Sequence, residues 1–402
     1  MGLRQHPISD EDAAFWLNIR KQFYLRDDTT YLQGGSVGPS ARPTIEKTID
    51  LLRAFESDPL NNRDHGLLRP IIESARGKLG RFVGADPDRL ALLPNTTMGM
   101  NLPAQGLKWE RGREILMSDQ EYPAVKNLFE YIAERDGLTI SMFPLPTPPD
   151  SPQDIVDAYA DRFTDRTCLM ICSHVYCTTG LVAPVGDLTG LAHKHGALAI
   201  IDGAHALGMV PVDLAGISPD FYVSSCHKWL LTPKGVGMVY IDASFQNVLR
   251  PLIIGHNNKP TPNADRYDKL GTADLTHYAG METAIDYQLD IGWNEKIRPY
   301  CLALARYLKE RIVSDIAGSR LTIPMDTEMS GYLTSFTIEG IDSRKLMRIL
   351  WDEYKIQTQS VTFNGIRAFR ISTHFYDTFA DIDRFVDTAI ELIRTRKGLE
   401  LE

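Results

Sequence analysis

Between about residue 70 and residue 245, short apolar runs of strand length alternate with amphipathic stretches of helix length. That alternation is the pattern of a mainly parallel sheet covered by helices. Strands are expected at 90–94, 114–118, 138–143, 168–174, 197–202, 221–225 and 236–241. Runs such as CLMIC at 168–172 and ALAII at 197–201 lack polar alternation, as strands buried on both faces do. Sheets of this kind bind ligands at the carboxyl ends of their strands.

Beyond about residue 280 the pattern changes to a long helix, short strands at 332–338 and 366–372, and a final helix at 378–396. The chain therefore reads as α/β, with a large domain at 41–280 and a smaller α+β domain made of 1–40 with 281–402. The segment PLPTPPDSP at 144–152 resembles a linker, but sheet and helix signals continue on both sides, so it reads as a surface loop within one domain. No repeat at a 20 to 50 residue period is present, which sets solenoids and propellers aside.

Composition narrows the class. With 43% hydrophobic and 24% charged residues and no run near the ~20 apolar residues of a membrane span, no membrane partner is expected. The first 30 residues lack the apolar core of a secretory signal, which points to the cytoplasm. A net charge of −9 without a basic stripe argues against nucleic acid but allows a small anion bound locally. Five cysteines, odd in number and mostly in apolar runs, suit reduced core thiols. Cys168 and Cys172 do not make a CxxC pair, and no metal is expected.

The sharpest stretch is IIDGAHALG at 200–208, followed after one helix-length connection by FYVSSCHKWLLTPKGVGMVYI at 221–241. Asp202 falls at a strand's carboxyl end, where a buried carboxylate needs a cation; a protonated pyridine nitrogen is such a partner. Lys228 sits in a turn beside Trp229, Leu230 and Leu231. A partly desolvated lysine loses its proton readily, and the neutral amine attacks aldehydes. Taken singly, Asp202 is a helix cap and Lys228 a surface lysine; their joint occurrence at strand ends carries the weight. LLPNTTMGMN at 92–101 adds a strand, a hydroxyl-rich turn and a helix start, where Thr96, Thr97 and free N–H groups can cradle a phosphate. A dinucleotide fold would want GxGxxG after an early strand, and none is present.

Together with SDQEYPAV at 118–125, SHVYCTTGL at 173–181 and FRISTHFYDT at 369–378, these motifs resemble the class V aminotransferase family of fold-type I pyridoxal 5′-phosphate (PLP) enzymes. Within it the resemblance is to the isopenicillin N epimerase-like branch, neighbour to the cysteine desulfurases. It implies PLP as a Schiff base on Lys228, with Asp202 on the pyridine nitrogen and Thr96, Thr97, Ser225 and His227 around the phosphate. It further implies His205 near the phenolic oxygen, Tyr122 over the ring and Arg370 on the substrate's α-carboxylate, with Arg367 an ordinary surface charge. Thr272 resembles a residue reaching the neighbouring subunit's phosphate, so a homodimer with shared sites is implied.

The resemblance is incomplete. Desulfurases carry a nucleophilic cysteine before the carboxylate-binding arginine, and residues 354–369 contain none. They also have a histidine where Tyr122 stands, and Cys177 replaces an asparagine common in relatives; its reading is strand-end packing. The leading expectation is epimerase-like chemistry at the α-carbon of an amino acid, with Lys228 as one base and Tyr122 or Tyr176 as the second. The alternatives are β-elimination on an S-substituted cysteine, which needs one base, transamination, and decarboxylating oxidative deamination. A non-catalytic scaffold would have lost Lys228 or Asp202; both are present. Loops at 33–39 and 257–269 are expected to shape the substrate pocket.

Overall fold

The computed structural model describes residues 6–64, 66–255, 259, 261–395 and 398–400. All seven expected strands of the large domain form: β1 (Leu90–Leu93), β2 (Glu114–Ser118), β3 (Thr139–Phe143), β4 (Thr167–Ser173), β5 (Leu198–Asp202), β6 (Phe221–Ser225) and β7 (Gly237–Ile241). They make one sheet in the order β1-β7-β6-β5-β4-β2-β3. Only β7 runs against its neighbours β1 and β6; the other pairs are parallel. The β6–β7 connection contains no helix, and a parallel return requires a crossover, so the chain comes back antiparallel.

Successive residues divide between two cores, as a pleated strand dictates. Leu169 and Ile171 pack on one face with Ile200, Phe221 and Val223, whereas Met170 and Cys172 pack on the other with Ile201 and Tyr222. The edge strand β3 is partly exposed, while β1, β2, β6 and β7 are buried throughout.

The second sheet consists of β8 (Ser319–Leu321), β9 (Leu333–Ile338), β10 (Gln359–Phe363) and β11 (Ile366–Ser372), antiparallel in the order β10-β11-β9-β8. Asn364 and Gly365 join β10 to β11 with φ of 48° and 71°, the left-handed pair of a two-residue hairpin. Helices Ser343–Tyr354 and Phe379–Thr395 accompany this sheet. Thr30 and Tyr31 pair in parallel with Ile356 and Gln357, and Gln33 bridges Ser372. Residues 30–33 thus lie along this smaller unit.

The single long helix expected from about 280 is two, Thr276–Ile291 and Arg298–Asp315. Gly292 at φ 97° takes the chain out of helical geometry between them. The proline-rich segment forms the connection from β3 to helix Pro152–Ala160, which begins with a Ser151/Asp154 capping box. Among the described residues no helix is long and apolar enough to cross a membrane.

Candidate cofactor and substrate site

Ser173, Asp202 and Ser225 are the last residues of β4, β5 and β6, three adjacent parallel strands. Because these strands end at one edge, their terminal side chains surround one cavity of about 260 Å³. The segments leaving those ends complete it: His205 after β5, His227 and Lys228 after β6, and Asn95, Thr96 and Thr97 after β1. Tyr122, just before the helix Pro123–Asp136, also lines it.

Asp202 is 4% exposed. One carboxylate oxygen accepts from the Ala204 N–H at 2.8 Å. Burial pushes its pKa up, while that hydrogen bond and the Lys228 charge pull it down. Lys228 Nζ lies 3.0 Å from His205 Nε2. Burial pushes the lysine down to about 8, with Asp202 the main opposing influence. His205 is buried, accepts from the Trp229 indole N–H at 3.2 Å, and is held well below the usual histidine range by burial and by the Lys228 and Arg370 charges.

The same cavity is lined by groups that can cradle an anion. Asn95 caps helix Thr96–Gly106 by accepting from the Met98 N–H, and the Thr96 N–H donates to Ser225 Oγ at 3.1 Å. The Thr96 and Ser225 hydroxyls are 2.7 Å apart, and Thr97 is exposed at the helix start. Helix dipole and N–H groups there favour negative charge. The His227 Nδ1–H donates to the Val236 carbonyl at 3.1 Å, leaving Nε2 free of that contact.

Arg370 arrives from the other sheet. It is 5% exposed; Nη1 donates to the Cys177 carbonyl at 2.6 Å and Nη2 to Ser36 Oγ at 2.8 Å, both residues lining the cavity. Its Nε has no partner among the described residues. Arg367, on the same strand, instead pairs with Asp342.

Two residues stand elsewhere. Thr272 is exposed and lines a separate cavity of about 650 Å³ with Arg69, Arg76 and Asp268. A single chain therefore does not bring it to Lys228. Tyr176 is fully buried, 3.1 Å from the Tyr159 hydroxyl and 3.4 Å from Cys172 Sγ, and does not line the cavity. As a second base it is ruled out: the bend after β4 turns Tyr176 into the core and its neighbour Cys177 toward the cavity. Of the loop expected at 257–269, residues 257, 258 and 260 lie outside the described residues.

Glu121 is the group that sequence reading passed over, although it stands inside SDQEYPAV. Its buried carboxylate accepts from Ser118 Oγ at 3.0 Å, Ser173 Oγ at 2.6 Å and the Ser173 N–H at 3.3 Å. Burial pushes it up to about 8. Ser36 lay within the 33–39 loop but carried no local mark of its role.

The aminotransferase class-V family model matches residues 40–385. The chain belongs to this family. It is a PLP-dependent enzyme of fold type I, related to isopenicillin N epimerase and the cysteine desulfurases. It is 34% identical to an isopenicillin N epimerase of Amycolatopsis lactamdurans, over 94% of this chain and 99% of that one. It is 23% identical to the hercynylcysteine sulfoxide lyase of Schizosaccharomyces pombe, over 91% and 95%. In fold it is similar to the cystine C–S lyase C-DES in complex with cysteine persulfide, with a TM-score of 0.80 and 22% identity over 91% and 98% of the two chains.

The class V cofactor fits the residues present. A buried carboxylate whose charged neighbour is Lys228 suits a pyridinium nitrogen. The capped helix start with paired hydroxyls suits a phosphate, and an amine at about 8 suits a carbonyl.

Proposed function

We propose that this enzyme performs one-base β-elimination on an S-substituted cysteine. When bound, PLP draws electrons from the α-carbon of the attached amino acid and so acidifies its α-proton. Lys228 Nζ would accept that proton and hand it to the sulfur, which takes the electron pair of the breaking Cβ–S bond and leaves as a thiol. Hydrolysis of the remaining three-carbon unit consumes water and yields pyruvate and ammonia. Arg370 grips the α-carboxylate, for which its forked N–H groups are shaped. With the cofactor bound, Asp202 would pair with the pyridine nitrogen, Thr96, Thr97, Ser225 and His227 would hold the phosphate, His205 would serve the phenolic oxygen, and Tyr122 would cover the ring. Thr272 is assigned to the site of a second copy in a homodimer.

The observation that carries this reading is the supply of bases. The cavity holds one amine, Lys228, and the nearest imidazole, His205, is bonded to it. His227 also lines the cavity, with its Nδ1–H on the backbone. Elimination needs no second base, and the S. pombe relative is itself named a sulfoxide lyase. The absence of any cysteine at 354–369 separates this elimination from thiolate-dependent desulfuration.

The second reading is epimerisation, favoured by the 34% identity to an isopenicillin N epimerase. It requires a proton carrier besides Lys228, and the Tyr122 phenol, 47% exposed in the single chain, is the candidate. Proton NMR in heavy water with plain and S-substituted amino acids, without keto acid, separates the two. Pyruvate with a free thiol supports elimination; α-proton exchange with inversion at the α-carbon of a surviving substrate, the inversion lost in Tyr122→Phe, overturns it in favour of epimerisation.

A further inference from the structure

The geometry points to Trp229 as a positioning residue that fixes the ring proton of His205 on Nε2, so that His205 donates to Lys228 and holds its amine in the neutral form that attacks a carbonyl. An indole N–H can only donate. At 3.2 Å from His205 Nδ1 it makes that nitrogen the acceptor, and a neutral imidazole then carries its proton on Nε2. Nε2 faces Lys228 Nζ at 3.0 Å. An ammonium has no lone pair to receive that hydrogen, whereas a free amine has one. The other tautomer, or an imidazolium, would set the Nδ1–H against the indole N–H and leave a buried donor without an acceptor.

The indole cannot swing to relieve such a conflict. Trp229 is fully buried, stacked on His374 at 5.6 Å and edge-on to Tyr332 at 5.8 Å. Its carbonyl accepts from His374 Nε2–H at 3.0 Å and from the Gln288 amide at 3.2 Å. Gly208 packs so tightly that a β-carbon there would stand 2.5 Å from the Trp229 backbone. The charges nearby act in the same sense on His205, where Lys228 and Arg370 both oppose a second proton. At Lys228 they divide: Asp202 and Cys177 favour the ammonium, and burial and Arg370 oppose it. The oriented Nε2–H adds to the second group.

This rests on reading Lys228 as the amine that takes the cofactor's carbonyl, and it is independent of the reaction that follows. The test uses the full-length chain freed of cofactor and the rate at which added PLP becomes borohydride-fixed on Lys228 across pH. Trp229→Phe keeps the ring but removes the N–H, letting His205 accept from an ammonium. The midpoint of its profile is expected to rise by about one pH unit, slowing capture about tenfold below it. His205→Leu removes the imidazole that links the indole to Lys228, so adding Trp229→Phe to it should shift nothing. An unchanged midpoint in Trp229→Phe overturns the proposal, as does an equal shift in the leucine background. If Trp229→Phe fails to fold, nitrogen-15 NMR of the unsubstituted chain decides: pyrrole-type Nε2 and pyridine-type Nδ1 at His205 support the proposal, and the reverse overturns it. A chain whose adduct is not on Lys228 instead sinks the reading of the lysine, a failure recognised by the adduct's position.

Discussion

The guanidinium of Arg370 is bonded to the backbone carbonyl of Cys177 at 2.6 Å, joining a strand of the small sheet to the loop that follows β4 in the large one. One carbonyl and one serine hydroxyl occupy two of its nitrogens, and both are neutral acceptors that a carboxylate outcompetes. Arg370→Ala should therefore raise KM for an amino acid substrate about 10- to 100-fold, the worth of a charge-assisted hydrogen bond. Arg370→Lys should recover only part of that, because an ammonium lacks the fork. Steady-state kinetics on both variants check this.

Cofactor attachment should depend on pH through Lys228. Burial brings its pKa from 10.5 to about 8, so the fraction of reactive amine rises as pH increases through about 8 and levels off above. The rate of visible absorbance change after adding PLP to the cofactor-free chain measures it. Lys228→Ala should show no borohydride-fixed pyridoxyl group at all.

Asp202→Asn replaces the buried anion by an amide of the same shape. Turnover is expected to fall by roughly 100-fold or more, the scale on which breaking a buried charge pair operates. Thermal unfolding should stay near the parent, since the Ala204 N–H still finds an oxygen acceptor.

Glu121 links stability to pH. Its pKa rises from 4.5 to about 8 on folding, so the folded state retains a proton that the unfolded chain gives up. That contribution is complete below 4.5 and is lost as pH climbs to about 8, on the order of 1.4 kcal/mol per pH unit as an upper bound. Glu121→Gln should flatten this part of the stability profile, measured by urea midpoints at both ends of the window.

Free cysteine should leave no persulfide on the protein. The Cys177 thiol is pushed up by burial, and no cysteine lies at 354–369, so no thiolate is poised for sulfur transfer. Mass spectrometry of the intact chain after incubation with cysteine reads this directly; a gain of one sulfur would return desulfuration to consideration.

What the sequence determined by itself was local. Apolar runs such as CLMIC and ALAII located β4 and β5 because a strand buried on both faces tolerates few polar residues, and the polar residues ending the runs marked Asp202 and Ser225 as edge groups. Hydroxyls at 96 and 97 before an apolar stretch announced a helix start for the same reason of backbone chemistry. Tertiary structure decided the rest. Tyr176 and Cys177 are neighbours in a bend without strand periodicity, and only packing sends one into the core and the other to the cavity. Glu121 is marked by its three donors, which come from Ser118 and Ser173 on different strands. The contact of Arg370 with Cys177 spans 193 positions of sequence, and that of Trp229 with His205 spans 24, through the packing of β6 on β5. Propensity and periodicity act over a turn or a strand; which side chains meet across such separations depends on how the sheets are ordered and how their strand ends align.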